Sequence, residues 1–167
     1  MLDIDIGGAC IQRPNSTGDN LTCIEKNNPA NASGIITNVC LWVTQLSTPE
    51  KPWYLGIFYL VSGTTYHCRS AHGPFYPVRG QNNIEVNMSV ETGDFIGVYL
   101  PGGVGTAAYI AITRDVGLNG QFVEGNHCIV GDETEYHTGP KETYSLYGTG
   151  IGTGTPCPPP SCVFAIK

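Results

Sequence analysis

Charge is scarce in this chain: only 13% of its 167 residues are Asp, Glu, Lys or Arg, about half the share of an ordinary soluble domain. The eight Lys and Arg stand singly along the sequence, and the formal net charge is −6. Without a clustered positive surface, nucleic acid is excluded as a partner, and so is a basic membrane-surface patch. No apolar run approaches the ~20 residues that span a bilayer; the longest, Tyr54 to Val61, is strand-sized, so no membrane span is expected. No stretch holds a 3.6-residue period long enough for a helix. Cys-x-x-Cys, His-Glu-x-x-His and Gly-x-Ser-x-Gly are all missing, which removes the usual spacings for zinc and for a serine nucleophile. Met1-Leu2-Asp3-Ile4-Asp5 also lacks the basic and apolar regions of a secretory leader.

What fills the chain instead is 22 Gly, 12 Pro, 16 Thr, 11 Asn and 8 Ser around 41% hydrophobic and 10% aromatic residues. That composition supplies a core and an uncharged polar surface, and its length suits one domain. Seven cysteines, Cys10, Cys23, Cys40, Cys68, Cys128, Cys157 and Cys162, without metal spacing, read as disulfide candidates of an oxidising compartment. Their odd number leaves one thiol free or paired between chains. Four Asn-x-Ser/Thr sites, Asn15, Asn20, Asn31 and Asn87, are glycosylation candidates of a secreted glycoprotein. An extracellular or virion-surface location reconciles the cysteines with the missing leader.

Strand signals recur between turn signals. Ile35 to Thr44 alternates, Leu55 to Val61 is apolar on both faces like a central strand, and Thr64 to Arg69 follows a Ser62-Gly63 turn. Ile84, Val86, Met88 and Val90 alternate with polar residues, so that Asn87 points to solvent. Phe95 to Leu100, Ala107 to Thr113 and Thr143 to Tyr147 complete seven or eight strands, and Met1 to Ile6 is a further one. The expected fold is all-β, a two-layer antiparallel β-sandwich or jelly roll spanning residues 1–147. Residues 148–167 read as a Gly/Thr/Pro-rich linker followed by a terminal strand, Val163, Phe164, Ala165 and Ile166, whose tether suits pairing with an exposed sheet edge.

The segments DIDIGGACIQRP, KNNPANASGIITNVCLWV, FYLVSGTTYHCR, VETGDFIGVYLPGG and ETYSLYGTG occur in that order. Over roughly residues 3 to 150 this pattern resembles a group of small β-rich proteins of environmental and phage-like genomes. The resemblance implies a β-sandwich and carries no established activity, cofactor or site residue.

Candidate chemistry is sparse. His67-Cys68 and His127-Cys128 are adjacent pairs, but neighbouring strand residues point to opposite faces, so neither forms its own dyad. His67, His72, His127 and His137 have no zinc spacing. Asp132, Glu133 and Glu135 are the candidate calcium ligands, in a loop like Asp94 and Asp115; no other cofactor is implied. Trp53, Tyr54, Phe75 and Tyr76 flank prolines in loops and are candidates for stacking on sugar rings. The function these features favour is a non-enzymatic structural subunit of an extracellular fibre, filament or virion surface, a homo-oligomer assembling head-to-tail through its terminal strand. The alternative is a carbohydrate-binding or adhesion module that takes glycans on its loop aromatics.

Overall fold

The computed structural model describes residues 3–103 and 105–153, and the regular elements in them are all β-strands. In chain order these are β1 (Asp3–Gly8), β2 (Asn15–Gly18), β3 (Leu21–Glu25), β4 (Gly34–Gln45), β5 (Trp53–Ser62) and β6 (Thr65–Phe75). They continue as β7 (Gly80–Val90), β8 (Phe95–Leu100), β9 (Tyr109–Glu124), β10 (Glu133–Glu135), β11 (His137–Tyr144) and β12 (Leu146–Gly152). Neighbouring strands pair antiparallel throughout, in the order β1-β12-β4-β9-β3-β8-β5-β6-β10, with β7 on the free side of β4 and with β2 and β11 flanking β9.

This continuous sheet folds over into two layers. One is β7-β4-β12-β1; the other runs from β10 through β6, β5, β8 and β3 to β9 and β11. The start of β9 joins them, pairing Ile110 with Val43 of β4. Alternation decides what lies between: Ile4 and Ile6, Ile36, Leu41, Met88 and Leu146 of the first layer pack with Leu55, Ile57, Ile96, Val98 and Ile112 of the second. Each such aliphatic side chain, removed from water, contributes about 1.5–3 kcal/mol before chain entropy is counted.

A second, smaller core lies on the other side of the second layer. Ile24, Phe58, Tyr66 and Cys68 are covered there by Cys128 and Tyr136 from the segment 125–136. Its shape depends on two glycines. Gly56 and Gly97 are register partners, and a Cβ on either would lie 2.6 or 2.7 Å from the Phe58 ring. The apolar character of both faces of Leu55 to Val61 thus has its physical cause, one face against each core, although Leu60 and Val61 at the hairpin end are exposed.

Among the described residues twelve strands replace the seven or eight expected. Thr143 to Tyr147, expected as one strand, is the end of β11 and the start of β12; β2, β3, β10 and most of β11 were not anticipated, and β2, β10 and β11 are short or polar enough (NSTG, ETE, HTGPKETY) to carry no apolar alternation. The boundary after Tyr147 also shifts. Residues 148–152, expected as the start of a flexible linker, are the centre and end of β12, held between β1 and β4. Their glycines answer to crowding: a Cβ at Gly148 would lie 2.8 Å from the Ile6 side chain, and one at Gly150 would lie 2.0 Å from the Ile35 carbonyl oxygen. The segment expected as a terminal strand, Val163 to Ile166, lies outside the described residues, as do Cys157 and Cys162.

Candidate functional site

Register places the outward side chains of the first layer in rows. Cys40 is opposite Asn83 on one side and Tyr147 on the other. One row along, Asn38 lies between Glu85 and Thr149, and Thr149 faces Asp5 of β1. In the other direction Trp42 is opposite Gln81. This outer face therefore carries amides, hydroxyls and two half-buried aromatics, with the carboxylates of Glu85 and Asp5 in the row of Asn38.

Across it runs the strip Ala9 to Arg13, which leaves β1 and is fastened by the disulfide between Cys10 and Cys40. Arg13 anchors the far end of the strip, donating from Nε to Ser145 Oγ at 2.8 Å, from Nη1 to Thr113 Oγ1 at 3.0 Å and from Nη2 to the Ala9 carbonyl at 3.0 Å. The strip turns a flat sheet face into depressions. The largest, about 580 Å³, is lined by Ala9, Ile11, the disulfide, Asn38, Gln81, Asn83, Tyr147 and Thr149, none of them charged. A second, about 390 Å³, shares Tyr147 and Thr149 and extends to Asp3 and Asp5. On the far side of the strip a third, about 280 Å³, holds Gln12, Arg13, Trp42, Thr44 and Arg79. Amides and hydroxyls that both donate and accept, beside an aromatic ring, match the alternating polar and apolar faces of a sugar.

The aromatics singled out from sequence do not form a platform. Trp53 is only 1% exposed, a member of the main core, with Phe75 packed against it at 6.4 Å between ring centroids. Tyr54 is half-buried against Tyr99, and of the four only Tyr76 is exposed, at 59%. The reason is local: Trp53 and Tyr54 begin β5 instead of ending a loop, so alternation sends the indole inward. The carboxylates considered for calcium diverge. Asp132 faces His127 Nδ1 at 3.2 Å and accepts from Thr134 Oγ1 at 2.7 Å, while Glu133 is exposed and reaches His67 Nδ1 at 3.4 Å. Among the described residues no group of three His, Cys, Asp or Glu side chains is placed to hold a metal ion.

Of the cysteines, Cys10 and Cys40 are bonded, and Cys23, Cys68 and Cys128 are buried thiols. Burial pushes Cys23 and Cys68 up to about 12 and Cys128 well above its ordinary value, so these thiols are not poised as nucleophiles. His127 offers no base, since Nδ1 meets Asp132 and Thr134 and Nε2 faces the Glu124 carbonyl at 3.0 Å. Among the sequon asparagines, Asn87 is exposed on β7. Asn15 is half-buried in β2, Asn20 accepts from the Tyr99 hydroxyl, and Asn31 binds the amide of Asp5.

A different cavity, about 200 Å³, lies between β3, β9 and β11, with Cys23, Glu142 and Tyr144 in its wall. Its polar groups satisfy one another: Tyr144 Oη donates to Glu142 at 3.1 Å, and the neighbouring Glu25 accepts from the Tyr144 and Asn27 amides. Burial raises both carboxyls above their ordinary range. This cluster fastens β3 to β11 and presents little free hydrogen-bonding capacity.

Sequence reasoning passed over Asn38, Trp42, Gln81, Asn83 and Tyr147. The available signal was the wet face of β7, but only cross-strand register brings these residues together. No protein-family model, curated protein or solved structure matches the chain. Among the described residues no helix is long and apolar enough to cross a membrane.

Proposed function

We propose that this protein is a non-enzymatic glycan-binding module of an oxidising, extracellular setting, and that it binds through the outer face of β7, β4, β12 and β1. The observation that carries the reading is the uncharged depression of about 580 Å³ in which Asn38, Gln81, Asn83 and Thr149 converge around Tyr147. Such a surface favours a neutral, hydroxyl-rich ligand over an ion, because it supplies paired donors and acceptors and an aromatic face. The disulfide that shapes it is a bond of oxidising compartments. A glycan array on the intact chain tests the reading, followed by calorimetry on the hits with Tyr147→Ala and Asn83→Ala. We expect at least ten-fold weaker binding in each variant with an unchanged melting temperature; an array without hits, or variants that bind like the parent, would overturn it.

A self-associating subunit of a fibre, filament or virion surface is the second reading. It is supported by the exposed apolar side chains Leu60, Val61, Ile129 and Val130 on or beside the β5–β6 end of the sheet and by the low surface charge. Deleting residues 154–167 is expected to abolish assembly and leave a folded monomer. Light scattering that finds the full chain monomeric at high concentration would rule this reading out.

A further inference from the structure

The depression on the far side of the Ala9–Arg13 strip differs chemically from its neighbour. The chain has only eight Lys and Arg, yet two of them, Arg13 and Arg79, line this one hollow beside the half-buried Trp42, and its lining includes no carboxylate. Arg79 uses Nε alone, donating to the Thr44 carbonyl at 3.0 Å, so that both Nη groups have no partner among the described residues. Its position is fixed from behind. Asn82 accepts from the Val78 amide through Oδ1 at 2.8 Å and donates through Nδ2 to the Val78 and Gly80 carbonyls, closing the turn that carries Arg79. The guanidinium of Arg13 is held by its three bonds to Ser145, Thr113 and Ala9. The Trp42 indole N–H also has no acceptor among the described residues.

The result is a hollow of about 280 Å³ rich in unpartnered donors with an aromatic face beside them. A neutral sugar's hydroxyls accept from such donors one at a time and bring no opposite charge, whereas a planar carboxylate accepts two parallel N–H bonds from a guanidinium fork. We infer that this hollow is the acid-recognising end of the glycan groove, taking the carboxylate of a uronic-acid-type sugar on Arg79 and Arg13 while its ring lies against Trp42. The inference rests on the glycan-binding reading above and adds the ligand's charge and its polarity along the face, acid group beyond the strip and neutral residues in the larger depression.

Calorimetry at low salt with three matched oligosaccharides tests it: neutral, carboxylated at one terminal residue, and sulfated at the same residue. The expected result is that the carboxylated ligand binds about five- to ten-fold tighter than the neutral one, and that 0.5 M salt removes most of the gain. Arg79→Gln should abolish the preference, so that the carboxylated and neutral ligands bind the variant equally. Arg79 is the variant of choice because its one bond among the described residues is to an exposed carbonyl, whereas Arg13 holds the strip. Equal affinity for neutral and carboxylated ligands would overturn this inference and leave the glycan reading standing. A preference for the sulfated ligand would overturn the carboxylate assignment, and so would acetate binding as tightly as the sugar. Binding of no oligosaccharide would overturn both readings.

Discussion

The outer face of β3, β8, β5 and β6 lies under the segment 125–136, whereas among the described residues the outer face of β7, β4, β12 and β1 is crossed by the five-residue strip Ala9 to Arg13. Both faces start from the same alternation of inward and outward side chains, yet the outward residues have opposite character. On the covered side they are Phe58, Tyr66 and Cys68, which a returning segment buries, with Phe95 and Tyr99 partly buried against them. On the open side they are Asn38, Trp42, Gln81, Asn83 and Tyr147, grooved by a strip that a single disulfide fastens. The covered face thus adds buried apolar packing, and the open face leaves amides and hydroxyls half-buried or in solvent.

Substitutions on the two sides should separate these roles. The largest effect is expected from Phe58→Ala, which empties the centre of the second core and should cost about 3–5 kcal/mol in denaturant unfolding; Asn83→Ala on the open face should cost less than about 0.5 kcal/mol. Comparable losses at the two positions would erase the distinction. Replacing Cys10 and Cys40 together by Ser opens a loop closed across 30 residues and should lower stability by about 2–4 kcal/mol. The same variant should lose glycan affinity, because the strip no longer divides the face. Gly97→Ala should cost about 1–3 kcal/mol, since the new methyl meets the Phe58 ring at 2.7 Å and the Cys23 carbonyl oxygen at 2.8 Å; a fully stable variant would mean that the aromatic core gives way more easily than its packing implies.

The smallest effect concerns pH. Burial raises the carboxyls of Glu25 and Glu142 in the folded chain, so folding favours their protonated forms. That contribution is fully present below the ordinary carboxyl range of about 4.3 and is lost as pH rises through the higher folded values. Glu142→Gln, which keeps an acceptor for the Tyr144 hydroxyl, should therefore gain melting temperature relative to the parent between pH 4 and pH 7 and match it at lower pH. A difference that does not change with pH would show that Glu142 is no more proton-linked in the folded chain than in the unfolded one.

Much of the scaffold was legible along the chain. The alternation in Ile84 to Val90 foretold a strand with Asn87 in solvent, and the doubly apolar Leu55 to Val61 foretold a strand that is covered on both sides from Leu55 to Phe58, with Leu60 and Val61 exposed. The prolines before Trp53 suggest a loop, but β5 starts two residues before the expected Leu55, and alternation puts the indole on the same core face as Leu55. The alternating glycines after Tyr147 were misread for a related reason. Composition reports glycine's freedom, but at Gly148 and Gly150 what matters is the room denied to a Cβ by β1 and β4.

Local pattern and composition, by themselves, determined an all-β domain with an aliphatic interior and a charge-poor surface, because period, turn residues and burial preference act over a few neighbours; of the five disulfide candidates among the described residues, Cys10 and Cys40 are joined, while Cys23, Cys68 and Cys128 are buried thiols. Only the tertiary structure decided which cysteines are joined, which side of each layer is covered, and that Asn38, Asn83 and Tyr147 share one depression with Arg13 and Arg79 beside it. Those outcomes depend on strand order and register, which join residues more than a hundred positions apart, and a shift of one residue in the pairing of β4, β7 or β12 would send that strand's outward side chains to the opposite face.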